Sequence, residues 1–269
     1  MTRESRETPA RAGSRAISII GAVLFALAAS APRAAQGGDW EQLEAHLEYR
    51  KLEHTPGEHP RPVTIHAFRF APDHFELRVR PAPDGERGAE VRTLAEDNEA
   101  IMAVNGSFFG TDRAPMGLVV SEGRETSPLR RVNWGVFFVA DGRAGVVHSR
   151  DWQPPPALEF AIQAGPRLVV DGKSPSFKPQ QARRTALGVT TSGQIVIVAT
   201  EGALLTSDFA ALLRRPESEG GLGCRDALNL DGGSSTQLWF KQGARRIEIP
   251  ARRLVANAVL LLKRQTDAD

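Results

Sequence analysis

The chain has 269 residues, with 34 lysines and arginines against 32 aspartates and glutamates, for a formal net charge of +2. The excess sits at the N-terminus: residues 1–35 hold five arginines and two glutamates, and the remainder carries 29 basic and 30 acidic side chains. A near-neutral body offers no basic footprint, which excludes a nucleic-acid partner, and a single cysteine, Cys224, excludes an internal disulfide.

Residues 1–15 include Arg3, Arg6, Arg11 and Arg15, and residues 16–31 are uncharged and mostly apolar. That run is short of the roughly 20 residues a spanning helix needs. Small residues follow at Ala26-Leu27-Ala28 and Ala34-Ala35. Residues 1–35 therefore read as a secretory signal peptide, and the protein as exported, periplasmic or extracellular. The alternative is an uncleaved single-pass anchor, the one way this chain would meet a membrane. The remaining roughly 230 residues are enough to bury a sizeable core without disulfides.

Residues 36–62 form a lead-in segment in which Trp40, Leu43 and Leu47 have the spacing of a short helical stripe;. His46, His54 and His59 lie here without metal-ligand spacing and read as solvated. From residue 63 to 264 strand-like runs dominate, leaving 265–269 as a tail. Residues 63–70 and 75–80 alternate as strands with one wet face do. Residues 91–99 carry a weak helical pattern, and 101–104 an apolar strand. Asp141-Gly142 between 135–139 and 145–147 signals a hairpin. Residues 167–170 end at an Asp171-Gly172 turn, and 186–190 and 194–199 flank Ser192-Gly193. Residues 207–214 read as the principal helix, opened by a Ser or Asp cap. Residues 255–262 read as a closing central strand. The expected fold is α+β: a single β-rich domain of mixed or antiparallel sheets with one principal packed helix.

The most informative segment is Leu230-Asp231-Gly232-Gly233-Ser234-Ser235. An apolar run delivers a carboxylate, and two glycines let the backbone turn and approach a ligand because no Cβ intervenes. Hydroxyls follow. Val104-Asn105-Gly106-Ser107-Phe108-Phe109 repeats that grammar with a carboxamide and two aromatics, which suit the apolar face of a sugar. Gln163-Ala164-Gly165-Pro166-Arg167 turns into a strand, Arg183-Arg184 precedes another, and Glu201-Gly202 ends a third. Arginine's planar fork matches a phosphate. No histidine falls in these motifs, so a Ser-His-Asp triad is not expected. Zinc is not expected, given the lack of ligand spacing, and no cofactor is expected, although a Ca or Mg ion near Asp231 stays open. Cys224 reads as a small buried residue.

Taken in order, these motifs resemble the phosphodiester glycosidase family over about residues 60–263. The resemblance implies an exported hydrolase that cleaves the bond between a sugar's anomeric carbon and a phosphodiester oxygen, with a sugar phosphodiester or phosphate-linked glycan as substrate. Two departures from the family pattern stand out: Ser234 where a third glycine is common, and Ala203 where an arginine commonly follows the acid-glycine pair. On this reading Asp231 is base or nucleophile, Glu201 its carboxylate partner, and Asn105 a catalytic orienting group beside Gly106. Arg184, Arg167, Gly106, Asn229 and the Gly232-Gly233-Ser234-Ser235 turn would hold sugar or phosphate oxygens. A non-catalytic envelope protein binding phosphate-linked glycopolymers and a metal-dependent phosphodiesterase are the competing expectations.

Overall fold

A computed structural model describes residues 36–55 and 61–264. The expected signal peptide, most of the Thr55–Pro62 turn and the tail lie outside the described residues. Among the described residues no helix is long and apolar enough to cross a membrane.

Three antiparallel sheets enclose one main core. The largest has eight strands and runs, edge to edge, through Gln36–Gly37, Leu47–His54, Val63–Phe70, Ile195–Thr200, Thr185–Thr190, Cys224–Asn229 and Arg167–Val169, with Glu41–Glu44 added beside Leu47–His54. A five-stranded sheet places Leu158–Ala164 between Gly135–Ala140 and Val119–Ser121. A second five-stranded sheet centres on Met102–Asn105, between Leu238–Gln242 and Asn257–Lys263.

The expected alternation explains how the sheets close on one another. Phe68, Phe70, Leu187 and Leu228 of the large sheet meet Phe137 and Phe160 of the second and Met102, Val104 and Phe240 of the third. Each such large side chain, removed from water, contributes on the order of 2 kcal/mol. The intervening residues of the large sheet, among them Ile65, Ala186, Val196 and Val198, face the helix Thr206–Arg214 through Phe209 and Leu213.

The hairpin expectations hold: Gly135–Ala140 pairs with Arg143–His148 around Asp141 (φ +49°) and Gly142 (φ +65°), and Thr185–Thr190 with Ile195–Thr200. Three local expectations differ. The Trp40, Leu43 and Leu47 stripe is not a helix but a strand pair, turned at His46, whose φ is +64°. The principal helix begins at Thr206 and has no side-chain cap. His54 is buried, not solvated, because the helix carrying Asp208 covers it: its Nε2 lies 3.9 Å from Asp208. Cys224 is buried as expected, and burial pushes its thiol up to about 12.

Candidate functional site

The strand Cys224–Asn229 carries the chain out of the large sheet. Leu230 N–H still donates to Thr185 O at 2.9 Å, but Asp231 N–H donates to Gly106 O at 3.2 Å, at the end of the third sheet. The acid therefore sits where two sheet ends meet. Gly106 is required there: a Cβ on it would lie 1.9 Å from Asn257 Oδ1. Gly233 takes φ +62°, which bends the turn into a short 3-10 segment over Gly233–Ser235.

A cleft of about 410 Å³ opens on this junction. One wall is apolar, with Phe108, Phe109, Met116 and Trp134; the other carries Asp231, Gly232, Ser234, Ser235 and Arg253. The Phe108 and Trp134 rings lie 5.1 Å apart, and the guanidinium of Arg253 stands 5.3 Å from the Phe109 centroid. Burial raises the Asp231 pKa above the usual carboxylate range; hydrogen bonds from the Ser235 hydroxyl and Gly232 N–H, and the Arg253 charge, oppose that rise. An apolar platform facing a poised carboxylate and a cation can hold a sugar by its flat face and an anion beside it.

The structure brings Asp231, Gly232, Ser234 and Ser235 to the cleft and assigns the other expected residues elsewhere. Asn105 is fully buried and spends its carboxamide internally: Nδ2 donates to Asp231 O at 2.6 Å, and Oδ1 accepts from Thr185 Oγ1 and Gln237 N. It braces the acid's backbone and does not line the cleft. Asn229 is likewise buried and donates to Gly165 O and Leu230 O. The first two turn amides are also engaged, Gly232 N–H with Asp231 Oδ1 and Gly233 N–H with Arg183 O. They are not available to a phosphate.

Arg184 and Arg167 do not reach the cleft. Strand alternation puts Leu187 on the core side of the sheet and Ala186 on the helix side. Counting back, Arg184 falls under the helix, where its Nη2 donates to Gln180 O and Thr206 Oγ1. Arg167 lines a separate groove with Asp171 and Asp226. Its neighbour in sequence to Arg184, Arg183, takes the core side and underlies the turn, with Nη2 donating to Thr236 O at 2.7 Å while Nε and Nη1 find no partner. Burial and the Arg252 charge lower its pKa.

Glu201 ends its strand as expected but does not line the cleft. The order Cys224–Asn229, Thr185–Thr190, Ile195–Thr200 separates its strand from that of Asp231 by one strand, about 10 Å between backbones. Its Oε1 lies 2.8 Å from His66 Nε2, and His66 Nδ1 lies 2.9 Å from the Tyr49 hydroxyl. Burial lowers the His66 pKa against the opposing pull of Glu201, and pushes the Tyr49 phenol up to about 12. In the tautomer whose Nε2–H donates to Glu201, Nδ1 accepts from the Tyr49 hydroxyl;. Sequence reading passed over His66 because its partner is 135 positions away. It passed over Arg253 because nothing around that residue marks a site; only its position before the closing strand brings it back to the cleft. Among the described residues no group of three or more metal-ligating side chains converges.

Comparison with known proteins places these features in context. The sequence profile of the phosphodiester glycosidase family matches residues 98–262. An Escherichia coli (strain K12) protein, YigE, is 26% identical over 200 residues, covering 68% of this chain and 76% of its own length. The catalytic domain of zebrafish N-acetylglucosamine-1-phosphodiester alpha-N-acetylglucosaminidase, solved auto-inhibited by its pro-peptide, has a similar fold (TM-score 0.65, 16% identity, 87% of this chain and 89% of that one). A Synechocystis protein of solved structure is similar over 87% of this chain and 64% of its own (TM-score 0.56, 18% identity).

Proposed function

This chain belongs to the phosphodiester glycosidase family, and from that premise we propose that it is a hydrolase that breaks the bond between a sugar's anomeric carbon and a phosphodiester oxygen in the Asp231 cleft. The observation that carries this reading is the pairing, across one cleft, of an aromatic wall with a carboxylate of raised pKa and an arginine. The sugar ring rests on Phe108 and Trp134. Arg253 and the exposed Ser234 hydroxyl take the phosphate, the roles that Arg184 and Arg167 cannot fill from where they lie.

Cleavage builds positive charge at the anomeric carbon, which a nearby carboxylate stabilises. The bonding electrons leave on the phosphate oxygen. A phosphate monoester is a good leaving group as an anion, so a second carboxylate acting as acid is not needed, in keeping with a cleft that Glu201 does not enter. Asp231 takes the proton of the attacking water, and the anionic phosphate stays against Arg253 until release. Asn105 holds the Asp231 main chain still while this happens. The leader-like residues 1–35 support export.

Product identity tests whether the anomeric side of the diester is released, and the position of oxygen-18 from solvent then tests which bond of that side breaks. With a sugar-1-phosphodiester the proposal expects free reducing sugar and a phosphate monoester in equal amounts. A sugar 1-phosphate and a free alcohol would instead mark cleavage at the far phosphoester bond.

A further inference from the structure

Charge is unevenly placed around the cleft. Beside the Asp231–Ser235 turn the cleft is lined by Phe108, Phe109, Met116, Trp134 and Arg253, and the stretches that carry these five residues are 108–116, 128–134 and 250–255. They hold five arginines, Arg113, Arg130, Arg131, Arg252 and Arg253, against one carboxylate, Asp112. Beyond the leader the chain is otherwise balanced. Some arginines elsewhere are paired, Arg69 with Glu48 and Arg264 with Glu159 for example. Among the described residues none of these five arginines makes an ion pair.

The crowding of like charge is local as well. Arg113 and Arg253 stand 5.0 and 5.3 Å from the same Phe109 centroid. Arg113 also donates to Leu254 O at 3.2 Å, which ties two rim segments together. The Asp112 carboxylate is occupied by Ala114 N–H at 3.1 Å. Arg131 turns away to Arg150 O. Beneath the turn, Arg183 feels the charge of Arg252, opposed by that of Glu201, and keeps two N–H groups unpartnered at 5% exposure. A scissile phosphodiester brings a single negative charge, which Arg253 can meet. Among the described residues that leaves Arg113 and Arg252 without an ion-pair partner.

We propose that the substrate carries a second anion, a phosphate on the aglycone, and that the Arg113 and Arg252 side of the rim binds it. This rests on reading the cleft as a phosphodiester glycosidase site. Two kinds of molecule supply that chemistry: a pyrophosphate-linked sugar, and a polymer in which phosphodiesters repeat. The repeat polymer is favoured because its second phosphate lies farther from the anomeric carbon, and Arg113 stands against the same Phe109 ring as Arg253 but outside the lining of the cleft.

The experiment compares three N-acetylglucosamine 1-phosphodiesters: the methyl diester with one charge, the glycerol 3-phosphate diester, and the uridine diphosphate. At low salt, kcat/KM is expected to be at least about tenfold higher for the glycerol 3-phosphate diester than for the methyl diester. The advantage should shrink as salt screens the rim, and should largely vanish in the folded Arg252→Gln single and Arg113→Gln/Arg252→Gln double variants. Preference for the uridine diphosphate would keep the second anion but move it to a pyrophosphate. Equal kcat/KM for all three overturns the inference. If none is cleaved, the glycosidase reading itself fails, and calorimetric affinities for the same three compounds still decide the second anion: equal affinities contradict it.

Discussion

The carboxamide of Asn105 donates to the main-chain carbonyl of Asp231 over 2.6 Å while its own oxygen accepts from Thr185 and Gln237. One fully buried side chain thus fastens the ends of two sheets to the turn that presents the acid. Truncation leaves three buried polar groups without partners. Asn105→Ala should lose about 2–4 kcal/mol of stability, measured by urea unfolding, and should lower kcat more than KM because the acid's position is loosened. A variant with full stability and full turnover would remove Asn105 from the account.

The two arginine readings separate cleanly. Arg253→Gln, at the exposed rim, should leave the melting temperature unchanged and lower kcat/KM by about 10- to 100-fold, or about 1.4–2.8 kcal/mol of transition-state stabilisation. Arg184→Met, under the helix, should do the reverse: a lower melting temperature with kcat/KM preserved in the folded fraction. Steady-state kinetics beside thermal denaturation reads both.

The raised pKa of Asp231 has a sign that can be followed. Its charged form is disfavoured in the folded protein, so this group favours folding more as pH falls through its folded-state pKa, and opposes it above. At neutral pH Asp231→Asn should therefore be more stable than the parent, with the gap narrowing in acid. Turnover by the parent should fall on the acid side at a pH above that of an ordinary aspartate, and Arg253→Gln should move that limb higher by removing a charge that favours the carboxylate. A pH series of kcat/KM and of melting temperature checks both parts.

Gly106→Ala places a methyl group where Asn257 Oδ1 already stands. That oxygen accepts the Ser107 N–H at 2.9 Å and cannot retreat without breaking the bond. The substitution should destabilise by about 1–3 kcal/mol and weaken activity through the shared junction with Asp231. Chemical denaturation of the variant tests this; an unchanged midpoint would count against the close approach.

Much of the fold was legible because a period of two is a strong signal: the hairpins around Asp141-Gly142 and Ser192-Gly193 follow directly from it. The stripe of Trp40, Leu43 and Leu47 misled because a tight turn at His46 lets a strand pair meet the same spacing. In the site, Asp231 and the aromatics were legible as local motifs. Arg184 was misassigned to the phosphate because adjacent strand residues point to opposite faces, and only the packing of Ala186 and Leu187 reveals which face is which. Glu201 was matched to Asp231 by motif alone, while the sheet order holds their strands apart. His66 and Arg253 owe their neighbours to tertiary contacts that no short window contains.

Replacing the acid should be decisive for where chemistry occurs: Asp231→Asn, folded and at least as stable, should lose about a thousandfold or more in kcat, or about 4 kcal/mol. Which bond breaks calls for a different experiment, since cleavage on either side of the anomeric oxygen yields the same sugar and phosphate monoester. Hydrolysis of a sugar-1-phosphodiester in water enriched in oxygen-18, read by mass spectrometry under conditions where free sugar exchanges slowly, resolves it. The account expects the label on the sugar's anomeric carbon and unlabelled phosphate; label in the phosphate monoester would contradict it.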